Sequence, residues 1–171
     1  WLVDLAPLAD PRLVPQAVAA VLGVKEEIGG TIVEALVRYV KDRRLLLVLD
    51  NCEHLLHACA EVAGQLLRAG AQLKILAASR EPLRVAGETS YHVPPLAVPD
   101  ARGKPTVEDL AHYEATQLFV DRATAALPAF RATAENAPAI ADICRRLDGI
   151  PLAIELAAAR VSALPVDRIA G

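Results

Sequence analysis

The sequence predicts a parallel α/β unit over residues 1–107 followed by a small all-helical unit over residues 108–171. Three observations carry this expectation. Leu45-Leu46-Leu47-Val48-Leu49 is an apolar run bracketed by Lys41, Asp42, Arg43 and Arg44 on one side and Asp50 on the other, too short for a membrane span and of strand length. Apolar runs alternate with helix-period segments, and no hairpin signal joins consecutive runs, the pattern of strands linked by crossover helices. Beyond Pro94, Pro95, Pro99 and Pro105, which with Gly103 mark an extended linker, the chain reads as helix.

Taken in order, residues 1–5 form a short strand and Ala6 to Pro11 a loop, since two prolines there forbid a helix. Leu13, Val14, Ala17, Val18, Val21 and Leu22 recur at helical spacing until Gly23 ends the helix. Ile28 to Val40 repeats the pattern through Ile32, Val33, Leu36, Val37 and Val40. The central strand, 45–50, is expected to be covered on both faces, as continuous apolar strands of parallel sheets are. A helix from Cys52 to Arg68 follows, with Gly70 as its C-cap, then a strand from Leu73 to Ala78 and a further short strand at Tyr91 to Val93. Helices are expected over 108–127, 135–147 and 152–163, punctuated by Pro128, Pro138, Gly149, Pro151 and Pro165. The small residues Ala153, Ala157, Ala158 and Ala159 let helix axes approach closely.

Composition narrows the function classes. At 171 residues and 54% hydrophobic, the chain can bury the core of one large domain or of a domain with a helical appendage. A net charge of −3 without a dense Lys/Arg stripe argues against nucleic-acid contact by this segment, and neither a membrane span nor a signal peptide is visible. The absence of methionine and the opening on Trp1 lead to the expectation of a fragment. Three cysteines without a CxxC pair support neither a disulfide framework nor a zinc ribbon, so a reducing cytoplasm is expected. Cys52 and Cys59, with His54 and His57 nearby, admit a metal site, but cysteines seven apart on a helix share a buried face, and core packing is the preferred reading.

The chemistry concentrates beyond the carboxyl end of the central strand, where ligands of open parallel sheets collect. Asp50 has two readings there: it caps the helix that follows, or it holds Mg²⁺ beside a phosphate. Glu53 lies one turn along and could orient or deprotonate a water. Arg80, at the tip of the 73–78 strand, points to the same crevice and could read a terminal phosphate; the plainer reading is a surface ion pair with Glu81 or Glu88. Leu147-Asp148-Gly149-Ile150-Pro151-Leu152-Ala153 is, as structure alone, a helix junction with Pro151 near N1.

Four segments together carry a resemblance: Leu46 to His54, Ser79-Arg80-Glu81, Leu118-Phe119-Val120-Asp121-Arg122-Ala123, and Cys144 to Ala157 containing Leu147-Asp148-Gly149-Ile150-Pro151. In this order and spacing they resemble the STAND-class, NB-ARC-like ATPase region of large bacterial LuxR-type and AfsR-type transcriptional regulators, over nearly the whole chain. The resemblance implies a three-layer P-loop NTPase-like core and a helical ARC-like subdomain, incomplete at its C-terminus, acting as an ATP/ADP-dependent switch. By position it implies that Asp50 is the Walker B residue for Mg²⁺, Arg80 the sensor arginine, and Gly149, Ile150 and Pro151 the segment whose proline packs on adenine. The implied partners are nucleotide and the other domains of the parent regulator, with oligomerisation on activation left open.

Walker A, G-x-x-x-x-G-K-[ST], is missing. Gly103-Lys104 runs into Pro105, and Gly29-Gly30-Thr31 has no lysine and follows a helix. Truncation before residue 1 is the expected reason, leaving the sheet without its first strand, between the Leu73–Ala78 strand and the one at Tyr91–Val93. Asn51 follows Asp50 where a second acid would stand, leaving Glu53 as the candidate catalytic carboxylate. At most slow ATP hydrolysis is expected in the intact parent, and none from this chain alone. The competing class is a nucleotide-free interaction scaffold that keeps the fold. Serine-hydrolase chemistry finds no support, because no G-x-S-x-G elbow exists and Ser79, Ser90 and Ser162 have no telling histidine partner.

Overall fold

A computed structural model describes residues 1–26, 28–100 and 105–171. Gly103 and Lys104 lie outside these residues. The chain forms two compact units, Trp1–Tyr91 and His92–Gly171.

In the first unit, β1 (Leu2–Asp4), β2 (Leu45–Asp50) and β3 (Leu73–Ala77) pair in parallel in the order β1-β2-β3. Helices α1 (Val14–Leu22) and α2 (Ile32–Val40) lie between β1 and β2 in the chain, and α3 (Leu56–Ala69) between β2 and β3. Gly23 ends α1 with φ +70, a conformation that glycine adopts without steric cost. Helix α2 begins at Ile32 rather than Ile28. The Thr31 hydroxyl accepts the Glu34 N–H while the Glu34 carboxylate accepts the Thr31 N–H, closing a capping box that fixes the start. Ile28, outside the helix, is fully exposed. Cys52–His54 forms a separate 3-10 turn ahead of α3, where one continuous helix is expected.

Gly70 stands at the end of α3 as expected, but with φ −104 and ψ 98 rather than left-handed. Its role is room: a Cβ there would stand 3.0 Å from the Val40 carbonyl oxygen and 3.1 Å from the Leu73 Cβ.

One face of the sheet carries Val3, Leu45, Leu47, Leu49 and Leu73, which are buried in one core with Val14 and Val18 of α1, Leu36 and Val40 of α2, and Val62 and Leu66 of α3. The other face is open. Leu2, Leu46 and Leu76 are 59%, 48% and 58% exposed, and Leu2, Val48 and Leu76 share one cross-strand row. Coverage of β2 on both faces is therefore corrected. Its outward positions are apolar like its inward ones, which hides the period-2 burial, and the described unit has two layers rather than the expected three. The expected strand at Tyr91–Val93 does not form either; Tyr91 and Val93 are exposed, and β1, β2 and β3 are the strands of the described residues.

The second unit comprises α4 (Val107–Leu110), α5 (Glu114–Ala126), α6 (Ala137–Arg146), α7 (Pro151–Ala158) and α8 (Val166–Ala170). Phe119, Phe130, Ile140, Ile143, Ile154 and Ala158 lie in its core, and Phe119 meets Phe130 edge to face at 6.4 Å. Leu96 and Val98 pack against this core, so the unit starts at His92, ahead of the boundary expected before Glu108. The helix expected over 108–127 is broken between α4 and α5. The Thr116 hydroxyl lies within hydrogen-bond reach of the carbonyls of Leu110 and Tyr113 and shares its single proton with them, taking up acceptors that a continuous helix would have bonded along its axis. Helix α8, which follows Pro165, was not expected. Among the described residues no helix is long and apolar enough to cross a membrane.

Candidate functional site

Three of the expected site residues stand together at the carboxyl ends of β2 and β3. Asp50 is the last residue of β2, and Asn51 then turns the chain with φ +61, a left-handed conformation that asparagine tolerates better than most residues. The turn carries Cys52 inward, where it is fully buried, and Glu53 outward. Backbone bonds tie the two strand ends: Ala78 N–H donates to the Leu49 carbonyl at 2.8 Å, and Cys52 N–H donates to the Ala78 carbonyl at 3.1 Å. Ser79 and Arg80 therefore leave β3 beside the turn that carries Glu53. The Arg80 Nε lies 3.4 Å from Glu53 Oε1, with the arginine side chain 87% exposed. Of the two surface pairings considered for Arg80, neither forms; its partner is Glu53.

The capping reading of Asp50 finds no support in this geometry. Asp50 Oδ1 accepts the N–H of Asn51, the adjacent residue, while neither the 3-10 turn nor α3 has a side-chain cap. On the neighbouring strand Asp4 is the register partner of Asp50, and its Oδ1 accepts the Ala6 N–H. Both carboxylates fall on the open face of the sheet, at its carboxyl edge. The sequence reading missed Asp4, although β1, like β2, is an apolar strand closed by aspartate, and that repetition was the available signal.

Two carboxylates with no nitrogen or sulfur donor suit a hard cation such as Mg²⁺, which keeps several waters and takes further oxygens from a phosphate. Among the described residues no group of three or more His, Cys, Asp or Glu could hold a metal ion. Cys52 and Cys59 are both fully buried, and Cys52 Sγ donates to the Leu49 carbonyl. Its contact with Cys59, and then burial, hold the Cys52 thiol above its ordinary pKa, as expected for a core residue under the site.

In the second unit Gly149, Ile150 and Pro151 form the junction between α6 and α7. Asp148 and Gly149 both have positive φ, +51 and +68. The Gly149 N–H caps α6 through the Cys144 carbonyl, and its own carbonyl accepts the Leu96 N–H at 2.9 Å. A Cβ on residue 149 would run into the Leu96 carbonyl oxygen, so glycine is required by backbone approach as well as by φ. Pro151 opens α7 at N1, and Ile150 and Pro151 are exposed. A cavity of about 420 Å³ between α6, α7 and α8, lined by Ile143, Leu147, Leu156 and Ile169 among others, includes none of these three residues.

Comparison with known proteins bears on the region as a whole. Over 168 residues, 98% of its length, the chain is 45% identical to a protein provisionally named an HTH-type transcriptional regulator in Mycobacterium bovis, and equally to one so named in Mycobacterium tuberculosis. It is 42% identical over 172 residues to a further Mycobacterium tuberculosis protein whose name assigns it no function. The chain spans 18% of the length of the first two relatives and 40% of the third. No family model matches it, and no solved structure matches it.

Proposed function

We propose that this region is the nucleotide-responsive switch of a transcriptional regulator, built on a P-loop NTPase-like core of the STAND, NB-ARC-like kind, LuxR-type in its parent, working in the cytoplasm. The observation that carries this reading is the convergence of Asp50, Glu53 and Arg80 at the carboxyl ends of adjacent parallel strands, where α/β sheets bind ligands. The names of the longer relatives support a regulatory role.

In this reading Asp50, with Asp4 beside it, holds Mg²⁺ through oxygen and water, and the ion would neutralise phosphate charge next to the carboxylates. Arg80 faces the terminal phosphate, and Glu53 both restrains Arg80 and is placed to orient a water. For Gly149, Ile150 and Pro151 the adenine role is proposed from the resemblance alone. The 171 residues contain no glycine-rich cradle with lysine, the feature that supplies most phosphate affinity through backbone N–H groups. The cradle is proposed to come from another part of the parent, since the chain spans only 18% to 40% of the length of its relatives. A nucleotide, the parent's other domains and further copies of the activated parent are the proposed partners.

The test is a pair of Mg-ATP titrations by calorimetry. The full-length parent should bind in the micromolar range or tighter, on the order of −8 kcal/mol, while the 171-residue chain alone should bind far more weakly. Equal, negligible binding by both would favour the scaffold reading, and low-micromolar binding by the chain alone would refute the dependence on a cradle supplied from elsewhere in the parent.

A further inference from the structure

Arg80 is carried on the segment between β3 and Glu88, and the structure shows what shapes that segment. At one end Ala78 is tied by backbone bonds to Leu49 and Cys52. At the other, the Glu88 carboxylate sits on three consecutive backbone amides: Oε1 accepts the Leu83 N–H at 3.1 Å, and Oε2 accepts the N–H groups of Arg84 at 2.6 Å and Val85 at 3.2 Å. The Glu88 N–H in turn donates to the Val85 carbonyl at 3.0 Å. Three amides can converge on one carboxylate because Arg84 has φ +61, the alternation of backbone hand that makes an anion-binding concavity. That conformation is disfavoured for a non-glycine residue, and charge-assisted bonds to the carboxylate offset it. Leu83, bonded through its amide, also packs against the core of the first unit.

We infer that Glu88 is a positioning residue for Arg80. By occupying the concavity at residues 83–85 it fixes the far end of the segment Ser79–Pro82, so that Arg80 is held beside Glu53 instead of sweeping through solvent. The inference rests on the reading of Arg80 as the phosphate-facing cation, and it adds a residue that touches neither nucleotide nor metal.

The experiment uses the intact parent protein carrying Glu88→Gln, Arg80→Ala or both, with Mg-ATP affinity read by calorimetry and amide exchange read at Leu83, Arg84 and Val85. Glutamine keeps one acceptor oxygen but loses the charge. The wild type should show slowed exchange at the three amides, and Glu88→Gln should lose most of it. Each single variant should weaken Mg-ATP by about tenfold, and the double variant should be no weaker than Arg80→Ala, because a residue acting through Arg80 has nothing further to lose. Multiplying effects in the double variant, or unchanged affinity in Glu88→Gln, would overturn the inference. If Glu88→Gln does not fold, the wild-type exchange decides: unprotected amides at 83–85 would refute the hold on the segment. A wild-type parent with no affinity for Mg-ATP would sink the nucleotide reading itself, while exchange would still show whether Glu88 holds the segment.

Discussion

Arg80 Nε stands 3.4 Å from Glu53 Oε1, joining the segment that leaves β3 to the turn that follows β2. An ion pair this exposed contributes little to stability, with a usual ceiling of about 1 kcal/mol. Arg80→Ala should therefore change the melting midpoint of the chain by no more than that implies, yet lower the Mg-ATP affinity of the parent. Thermal melting and calorimetry on the same variant separate the two effects. A large loss of stability with intact affinity would return Arg80 to a structural role.

Gly149 should be among the least replaceable positions of the second unit. Its φ of +68 and the approach of the Leu96 carbonyl both exclude a Cβ. Gly149→Ala should destabilise the unit by more than about 1–2 kcal/mol, the usual cost of left-handed backbone for a side-chain-bearing residue alone. Urea unfolding followed by circular dichroism would measure it, and a neutral result would mean that the Leu96 segment is not held against the junction.

The three cysteines are buried, and burial, partly countered by Arg145, pushes the Cys144 thiol up to about 12 from a reference of 9.0. The folded form thus keeps a proton that the unfolded form releases. The associated stability is complete below pH 9 and declines as pH rises from there toward about 12. Cys144→Ala should make that alkaline decline shallower, leaving the part that the raised Cys52 thiol contributes. At neutral pH all three thiols should react with a thiol reagent only as fast as the chain opens, and rapid native labelling would contradict the burial.

How much of this was legible in the sequence depended on whether a residue's role is set locally. Gly23 ends α1 because of its own φ, and the apolar run of β2 needs no partner to declare a strand. Asp50, Glu53 and Arg80 could be brought together on paper because parallel strands place their carboxyl ends side by side. The failures involve remote partners. Leu46 and Val48 look like core residues and face an uncovered side, because burial of an apolar strand depends on a layer that the strand itself does not encode. The α4–α5 break depends on where the Thr116 hydroxyl goes, and Asp4 becomes interesting only once the register sets it opposite Asp50. Glu88 gave no signal, since its role needs the left-handed turn at Arg84.

The central claim is that Asp50 acts on a ligand rather than on the fold. Its most direct test is Asp50→Ala in the intact parent, titrated with ATP in the presence and absence of Mg²⁺ and melted in parallel. The expected result is a loss of about tenfold or more in affinity that appears only with Mg²⁺, at a melting midpoint close to that of the wild type. A variant that loses several kcal/mol of stability while binding Mg-ATP as the wild type does would contradict it.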